Sequence, residues 1–354
     1  MKSANFFRDK PLFGLDISPD TVRVMQVETT GKQRAISGYG SASFDPKAIT
    51  DGVITHPEVV ARAIHDLFDT NLRGTISTKR VALGLPAART YSRAIKLPKL
   101  EPKEIEDAVR LEAEQYIPVS LESLYLDYTN IQTTESEMEL FAVAAPRAIV
   151  DSYIELMELV NLQPVLIETT IDAAARLFMN THFGNMPSVL IDFGPSSADI
   201  TIVDKTIIAT GTVGGGGDNF TARISDKLGV TKEEAHVIKT RYGLNVSRKQ
   251  FEIAKAIEPL VDQLLKEVRR MIRYYEERYD SSHKISQIVL MGSGANLPGL
   301  SDIMTDSLRL PVRTSDPWQH LGYSPHLTTI APADRAGYIT AAGLANASPS
   351  EVFA

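Results

Sequence analysis

Apolar residues recur along this chain in two alternating rhythms, and one arrangement of them occurs twice. Residues 12–27, LFGLDISPDTVRVMQV, and residues 188–203, SVLIDFGPSSADITIV, each read as an apolar strand ending in Asp. A turn of small residues follows, then a second apolar strand. The two strand-ending aspartates are Asp16 and Asp192. Between and after these hairpins the rhythm becomes helical. Val60, Ile64, Leu67 and Phe68 predict a helix within 57–72, and Ile105, Ala108, Leu111, Ala113 and Tyr116 a second over 101–116. Residues 124–132 and 138–146 read as a hairpin, 147–160 as a helix, and 165–170 followed by 171–183 as strand then helix. Four glycines, 214–217, precede a helix expected at 219–228 with Asp218 as its N-cap. Thr231 caps a further helix through Lys239. Residues 251–279 form the longest helix, with a bend or break expected at Pro259. Residues 284–300 read as strand, glycine turn and helix start, and 335–347 as a helix of small residues.

The chain has 354 residues, enough for two lobes with separate cores. It is 43% hydrophobic and 23% charged, and its net charge of −7 supplies no basic field for nucleic acid. Cysteine is absent, which removes disulfides, thiolate metal sites and cysteine nucleophiles. The seven histidines do not fall at metal-ligand spacing. No apolar run is long enough to span a bilayer, and the N-terminal stretch reads as a loose leader without a signal-peptide core, so a cytoplasmic protein is expected.

The doubled hairpin carries the chemistry. Turns of Gly, Ser and Pro expose backbone N–H groups to an anion, and an aspartate beside that anion calls for a cation, which together point to Mg²⁺ and a nucleotide. There is no G-x-x-x-x-G-K-[ST], and Gly292 and Gly294 fail the dinucleotide spacing because the next glycine is Gly299. Taken singly, either hairpin reads better as an ordinary buried hairpin, and the glycine turn reads equally as a tight structural turn.

The order of these parts resembles the actin-like ATPases. This resemblance covers nearly the whole chain and implies an α/β, two-lobe fold of duplicated ribonuclease H-like lobes facing each other across a cleft. Asp16 resembles the first phosphate-motif aspartate, Asp192 with Gly194 the second, and Met291–Gly299 the adenosine motif. Residues 171–177 and 337–344 resemble the two connecting helices. Within that group, RLEAEQYIPVSLESLYLDY (110–128), FGLDISPDTVRVMQV and GGGGDNFTARISDKLGVTKEEAHVIKTRYG (214–243) resemble the PilM family of type IV pilus assembly proteins. The layout is also similar to the cell-division FtsA proteins, which end in an amphipathic membrane helix; ANASPSEVFA at the end of this chain does not read as one. The second hairpin departs from the superfamily pattern: Pro195 removes a backbone N–H and Ala198 a hydroxyl. Where DnaK-type relatives have a Glu-x-x-Lys pair, this chain has His236 and Lys239.

The resemblance implies ATP and Mg²⁺ as ligands. Asp16 and Asp192 would hold the metal largely through water. Ser18, Asp20, Thr21, Gly194, Ser196 and Ser197 would lie near phosphates, Gly215 and Gly216 would lead into a subdomain over the nucleotide, and Lys239, Gly292 and Gly294 would meet adenosine. Asp172 or Glu168 would orient the hydrolytic water; the alternative for Asp172 is a helix-capping carboxylate. The expected divisions are a lobe 1 core at 1–75 and 165–187, an inserted partner-binding subdomain at 76–164, a lobe 2 core at 188–215 and 251–354, and a small subdomain at 216–250. The implied role is a cytoplasmic component of a pilus or secretion-type inner-membrane complex. It would bind the cytoplasmic tail of PilN in a groove near 82–86 and 105–130 and link it to the motor ATPase, with slow ATP hydrolysis at most. The alternatives are an FtsA-like filament former and a small-molecule kinase of the same superfamily, which would need a general-base aspartate that does not stand out.

Overall fold

The computed structural model describes residues 10–30, 33–181, 184–245, 250–279, 284–315 and 321–348. The leader expected at 1–10 and the polar C-terminal tail fall almost wholly outside them. The chain forms two compact units: Met1–Asn180 with Pro317–Ile330 and Tyr338–Ala354, and Thr181–Asp316 with Ala331–Gly337.

The first unit opens with β1 (Phe13–Ile17), β2 (Thr21–Thr30) and β3 (Gln33–Ser43), an antiparallel meander. A small hairpin, β4 (Ile49–Thr50) and β5 (Val53–Ile54), leads to α1 (Pro57–Asp66). The single helix expected to residue 72 changes character at Leu67, where Leu67–Asn71 is a π-helical turn. Then come β6 (Arg73–Gly74), β7 (Arg80–Leu85), β8 (Tyr91–Pro98), α2 (Pro102–Tyr116), β9 (Leu124–Thr133), β10 (Glu137–Pro146), α3 (Arg147–Leu159), β11 (Gln163–Thr169) and α4 (Thr170–Met179).

The main sheet of this unit has the order β11-β7-β1-β2-β3, parallel from β1 outward to β7 and β11 and antiparallel through β2 to β3. Phe13, Leu15 and Ile17 on alternate positions of β1 join Val60, Ile64, Tyr153, Leu156 and Met157 of α1 and α3 in one buried core. The three strands β8-β10-β9 form a separate sheet covered by α2, with small cores around Val109 and Leu140 and around Ala113 and Leu124. This inserted sheet therefore occupies residues 91–146 rather than 76–164. The ends of the expected span are claimed by the main sheet, because β7 pairs with β1 and α3 buries its apolar side in the main core. On α2, Val109 and Ala113 are the fully buried positions, whereas Leu111 is 64% exposed. It sits two residues from each of them, and positions two apart on a helix face different ways.

The second unit repeats the plan. β12 (Ser188–Phe193), β13 (Ser197–Asp204) and β14 (Thr206–Gly214) form the meander; α5 (Gly217–Leu228), α6 (Lys232–Arg241) and α7 (Gln250–Arg278) follow. β15 (Gln287–Met291), α8 (Leu300–Leu308) and β16 (Val312–Thr314) complete the sheet in the order β14-β13-β12-β15-β16. Strand for strand this matches the first unit, including the switch from antiparallel to parallel at the first strand. α7 runs unbroken through Pro259, which lies on its exposed side, where water can take up the carbonyl that proline leaves without a donor. Its apolar stripe, from Ile253 to Tyr275, packs along β13 and β14.

The short α9 (Pro332–Arg335) belongs to the second unit, whereas β17 (Gly322–Tyr323) and α10 (Ile339–Ala345) return to the first. Residues 251–354 are thus not one lobe core. β17 adds to the β3 edge, and α10 packs on β1, β2, β7 and α4. α10 reaches that position because Gly343 lets its backbone lie directly against Ala173 of α4, where any Cβ would overlap the Ala173 carbonyl. We expect Gly343→Val to destabilise the protein by about 1–3 kcal/mol or more, since the group it meets is backbone. Denaturant unfolding, which would show a lower midpoint, checks this.

Candidate functional site

In the first unit, Asp16 is the penultimate residue of β1 and is buried, with 5% of its surface exposed. Ser18 follows in the turn; its N–H donates to the Thr21 carbonyl (2.9 Å) and its hydroxyl to Asp16 Oδ2 (3.3 Å). Asp20 is exposed and accepts the Thr21 hydroxyl at 2.9 Å. The β1–β2 register sets Arg23 directly opposite Asp16, and Arg23 Nη1 donates to Ser18 Oγ at 3.3 Å. Burial pushes the Asp16 carboxyl above the usual carboxylate range, while the Arg23 guanidinium and the Ser18 hydroxyl pull it back. Arg23 was not singled out from the sequence. The signal was an antiparallel hairpin of fixed turn length, in which the residue seven past the aspartate must face it.

The second unit builds the same turn. Asp192 is the penultimate residue of β12, and the Gly194 N–H donates to the Ser197 carbonyl at 2.9 Å, the counterpart of the Ser18–Thr21 bond. The residue opposite Asp192 is Asp199, however, and not a cation. Asp199 accepts the Thr212 hydroxyl at 2.6 Å, and burial raises its carboxyl above the ordinary range against the pull of that bond. Asp199 is the second residue that sequence reasoning missed. Among the described residues no group of three or more His, Asp or Glu converges as a metal centre. A cation here would have to complete its shell with water and a ligand's own oxygens.

The glycine run closes on this turn. Gly215 N–H donates to the Ser196 carbonyl (3.0 Å), Gly217 N–H to the Gly194 carbonyl (3.0 Å) and Asp218 N–H to the Pro195 carbonyl (2.8 Å). Gly216, with its Cα packed on Gly194 and Pro195, is the N-cap of α5, and its N–H is taken by Asn219 Oδ1 at 3.1 Å. Asp218 therefore stands in the first turn of the helix and does not cap it. Lys239, on α6, is 9% exposed, and its ammonium donates to the Gly217 carbonyl at 2.8 Å. Burial lowers its pKa, and Asp218 partly offsets this. Gly292, at φ 77°, packs on Asp192 and the Phe193 carbonyl, and Gly294 packs on the Phe193 side chain. The structure thus gathers Asp192, Gly194, Ser196, Ser197, Gly215, Gly216, Lys239, Gly292 and Gly294 around one turn, as it gathers Asp16, Ser18, Asp20 and Thr21 around the other.

The two residues expected to orient water are engaged in structural roles. Both Glu168 oxygens are held by Arg176, each at 2.5 Å, and Arg176 also donates to the Gly343 carbonyl at 3.2 Å. That pair is mostly buried and joins β11, α4 and α10. Asp172 forms a capping box with Thr169: the Thr169 hydroxyl donates to Asp172 Oδ2 (2.6 Å) and the Asp172 N–H to Thr169 Oγ1 (3.2 Å). Burial raises the Asp172 carboxyl, opposed by the Thr169 bonds and by Arg176.

Two units with one strand order, each with an aspartate next to the end of its first strand and a small-residue turn beyond it, define an actin-like ATPase fold. The match to solved structures agrees. A PilM-PilN type IV pilus biogenesis complex aligns with TM-score 0.82 at 23% identity, over 95% of this chain and 98% of that one. MreB 5 of Spiroplasma citri, solved bound to AMPPNP, aligns with TM-score 0.54 at 12% identity over 95% of each chain. The ethanolamine utilization protein EutJ from Carboxydothermus hydrogenoformans aligns with TM-score 0.54 at 15% identity over 94% of this chain and 88% of that one. The cell division protein FtsA of Enterococcus faecalis (strain ATCC 700802 / V583) is 22% identical over 87% of this chain and 79% of its own length. The family model of the type IV pilus assembly protein PilM matches residues 14–348, and the chain belongs to that family.

The capping geometry sets an expectation for Asp172. Asp172→Ala should cost about 0.5–2 kcal/mol of stability through loss of the capping box. It should leave nucleotide affinity unchanged in calorimetry; a selective loss of affinity at intact stability would contradict the structural role.

Proposed function

We propose that this chain is the nucleotide-binding subunit of a type IV pilus inner-membrane assembly complex, binding Mg-ATP and docking the cytoplasmic tail of a PilN-type protein. The observation that carries this reading is the duplicated hairpin with its repeated turn hydrogen bond, in a chain of the PilM family. In this reading Asp16 and Asp192 anchor metal-bound water, and Ser18, Asp20, Thr21, Ser196 and Ser197 face phosphate oxygens. Arg23 offsets phosphate charge, and Asp199 adds a hard oxygen on the cation side, the donor type Mg²⁺ prefers. Gly215 and Gly216 bring α5 over the phosphates. Gly292 and Gly294 offer a flat backbone surface to adenosine, with Lys239 behind the glycine run.

With Glu168 and Asp172 committed to structural bonds, no side chain is assigned to activate water. ATP then acts chiefly as a conformational ligand, effective to the extent that it binds one arrangement of the chain better than another. No helix of the described residues is long and apolar enough to cross a membrane. In this reading attachment to the inner face of the membrane runs through the partner. Leu111 (64% exposed), Val119 (44%) and Tyr125 (41%) all lie within 105–130 and supply apolar surface for an extended tail. The complex so formed connects the membrane components to the pilus motor ATPase.

Two measurements test this. Asp16→Asn removes a buried carboxylate whose pKa burial has raised, so the charged form is the one that folding disfavours at neutral pH. The variant should melt at a higher temperature without nucleotide, yet bind Mg-ATP at least about tenfold more weakly, a loss of roughly 1.4 kcal/mol. Unchanged affinity in calorimetry would reject its role. Separately, a synthetic PilN tail peptide from the same organism should bind with a dissociation constant of about 1 μM or tighter. Leu111→Asp should weaken that binding severalfold; absence of binding to the folded wild-type protein would reject the partner.

A further inference from the structure

The outer face of α2 combines an exposed apolar side chain with unpaired carboxylates. α2 lies on the inserted sheet through Val109 and Ala113, its fully buried residues, with Ile105 and Tyr116 partly buried beside them. At about 100° per residue, Leu111 stands roughly 160° around the helix from both. It is therefore on the side away from the sheet, and it is 64% exposed. Glu104, Asp107, Glu114 and Gln115 fall within about 60° of it, and all four are exposed. Glu104, Asp107, Leu111 and Glu114 follow the i, i+3, i+7, i+10 spacing of a helical contact stripe. Three of its four positions carry carboxylates.

The fold leaves most of these carboxylates unused. Glu104 accepts the Glu101 N–H at 3.1 Å as part of the capping box. Asp107 and Glu114 form no hydrogen bond or ion pair among the described residues. The two cations of α2, Lys103 and Arg110, sit on the flank of the stripe, about 80° and 100° from Leu111. Arg110 is three residues from Asp107 and four from Glu114, within reach of both, yet it pairs with neither. Glu104 and Asp107 repel each other at i,i+3, a small cost to the helix with no packing gain, since both are exposed.

The signs choose the guest. A second copy of this chain seated on the stripe would set carboxylates against carboxylates, and an anionic bilayer would meet the same repulsion. A segment with cations around an apolar residue fits both features. We propose that the tail docked on this subdomain is basic: it seats an apolar side chain on Leu111 and places Lys or Arg within about two residues on either side. The spacing follows from the helix. Asp107 and Glu114 lie roughly 6 Å and 4.5 Å from Leu111 along the axis, a span that an extended chain covers in one or two residues. This chemistry rests on the tail-docking reading and supplies its selectivity. Contact with Leu111 holds the tail, while the flanking charges speed its association and turn acidic segments away.

The experiment uses the full chain and the synthetic tail peptide, titrated by calorimetry at about 0.02 M and about 0.3 M salt. Affinity should fall at least about threefold between the two. Asp107→Asn with Glu114→Gln should weaken binding about three- to tenfold at low salt and flatten the salt dependence. The melting temperature should not fall, because both side chains are exposed and unpaired. Asp107→Lys with Glu114→Lys should abolish binding of the natural peptide, yet bind a peptide whose Lys and Arg are replaced by Glu, which the wild type rejects. If the natural peptide binds with an affinity indifferent to salt and to both pairs of substitutions, the tail reading stands and the basic tail is overturned. If it does not bind the folded wild-type protein at all, both fall.

Discussion

The contact on which the first unit turns is backbone against backbone. Gly343 of α10 meets Ala173 of α4, and Gly14 of β1 meets Ala341 of α10, both closer than any side chain would permit. Three elements remote in sequence are thereby locked into one seam, further tied by Arg176 bridging Glu168 and the Gly343 carbonyl. The seam fixes where β1 ends, and hence where Asp16 sits. It also fixes the start of α4, where the Thr169–Asp172 capping box closes the helix. Burial at this seam is what makes the Asp16 carboxylate costly, and a carboxylate strained in this way gains most from a cation or a cationic ligand shell.

Much of this was legible in the sequence where the signal is local. The paired hairpins are visible because an aspartate, a turn of small residues and period-two alternation fall together within a few positions, and both turns form with the same hydrogen bond. Thr231 as a cap and the long apolar stripe of α7 are likewise local patterns. What escaped depends on pairing. Arg23 and Asp199 acquire meaning only through strand register. β16 has three residues and β17 two, too few for any periodicity, and they exist because β15 and β3 offer open edges. The inserted subdomain was drawn too wide for the same reason: parallel pairing of β7 with β1 and of β11 with β7 is a long-range fact. Glu168 looked available for chemistry because its partner Arg176 lies two helical turns away, on the next element.

The duplication also shows how two copies of one hairpin diverge. In the first copy the residue facing the aspartate near the strand end is Arg23, so the hairpin is nearly neutral and surrounded by hydroxyl donors. In the second it is Asp199, so two carboxylates share one face of the sheet. Backbone donors diverge as well. In the second turn the carbonyls of Gly194, Pro195 and Ser196 all point to the glycine run and the start of α5. The helix end that would otherwise attract an anion has already given its first N–H groups to the turn.

That commitment has a mechanical consequence. Gly217 and Asp218 of α5 hang from the turn carbonyls, α6 is fastened to α5 through the Lys239 ammonium on the Gly217 carbonyl, and Gly216 leaves no slack between turn and helix. The turn, α5 and the Lys239 end of α6 therefore form one hydrogen-bonded body. Buried hydrogen bonds are costly to leave unmade, more so with an ammonium among the donors. A ligand that repositions the Gly194–Ser197 turn consequently carries α5 and the attached end of α6 with it. That linkage gives any ligand seated on the turn a structural output that does not depend on turnover.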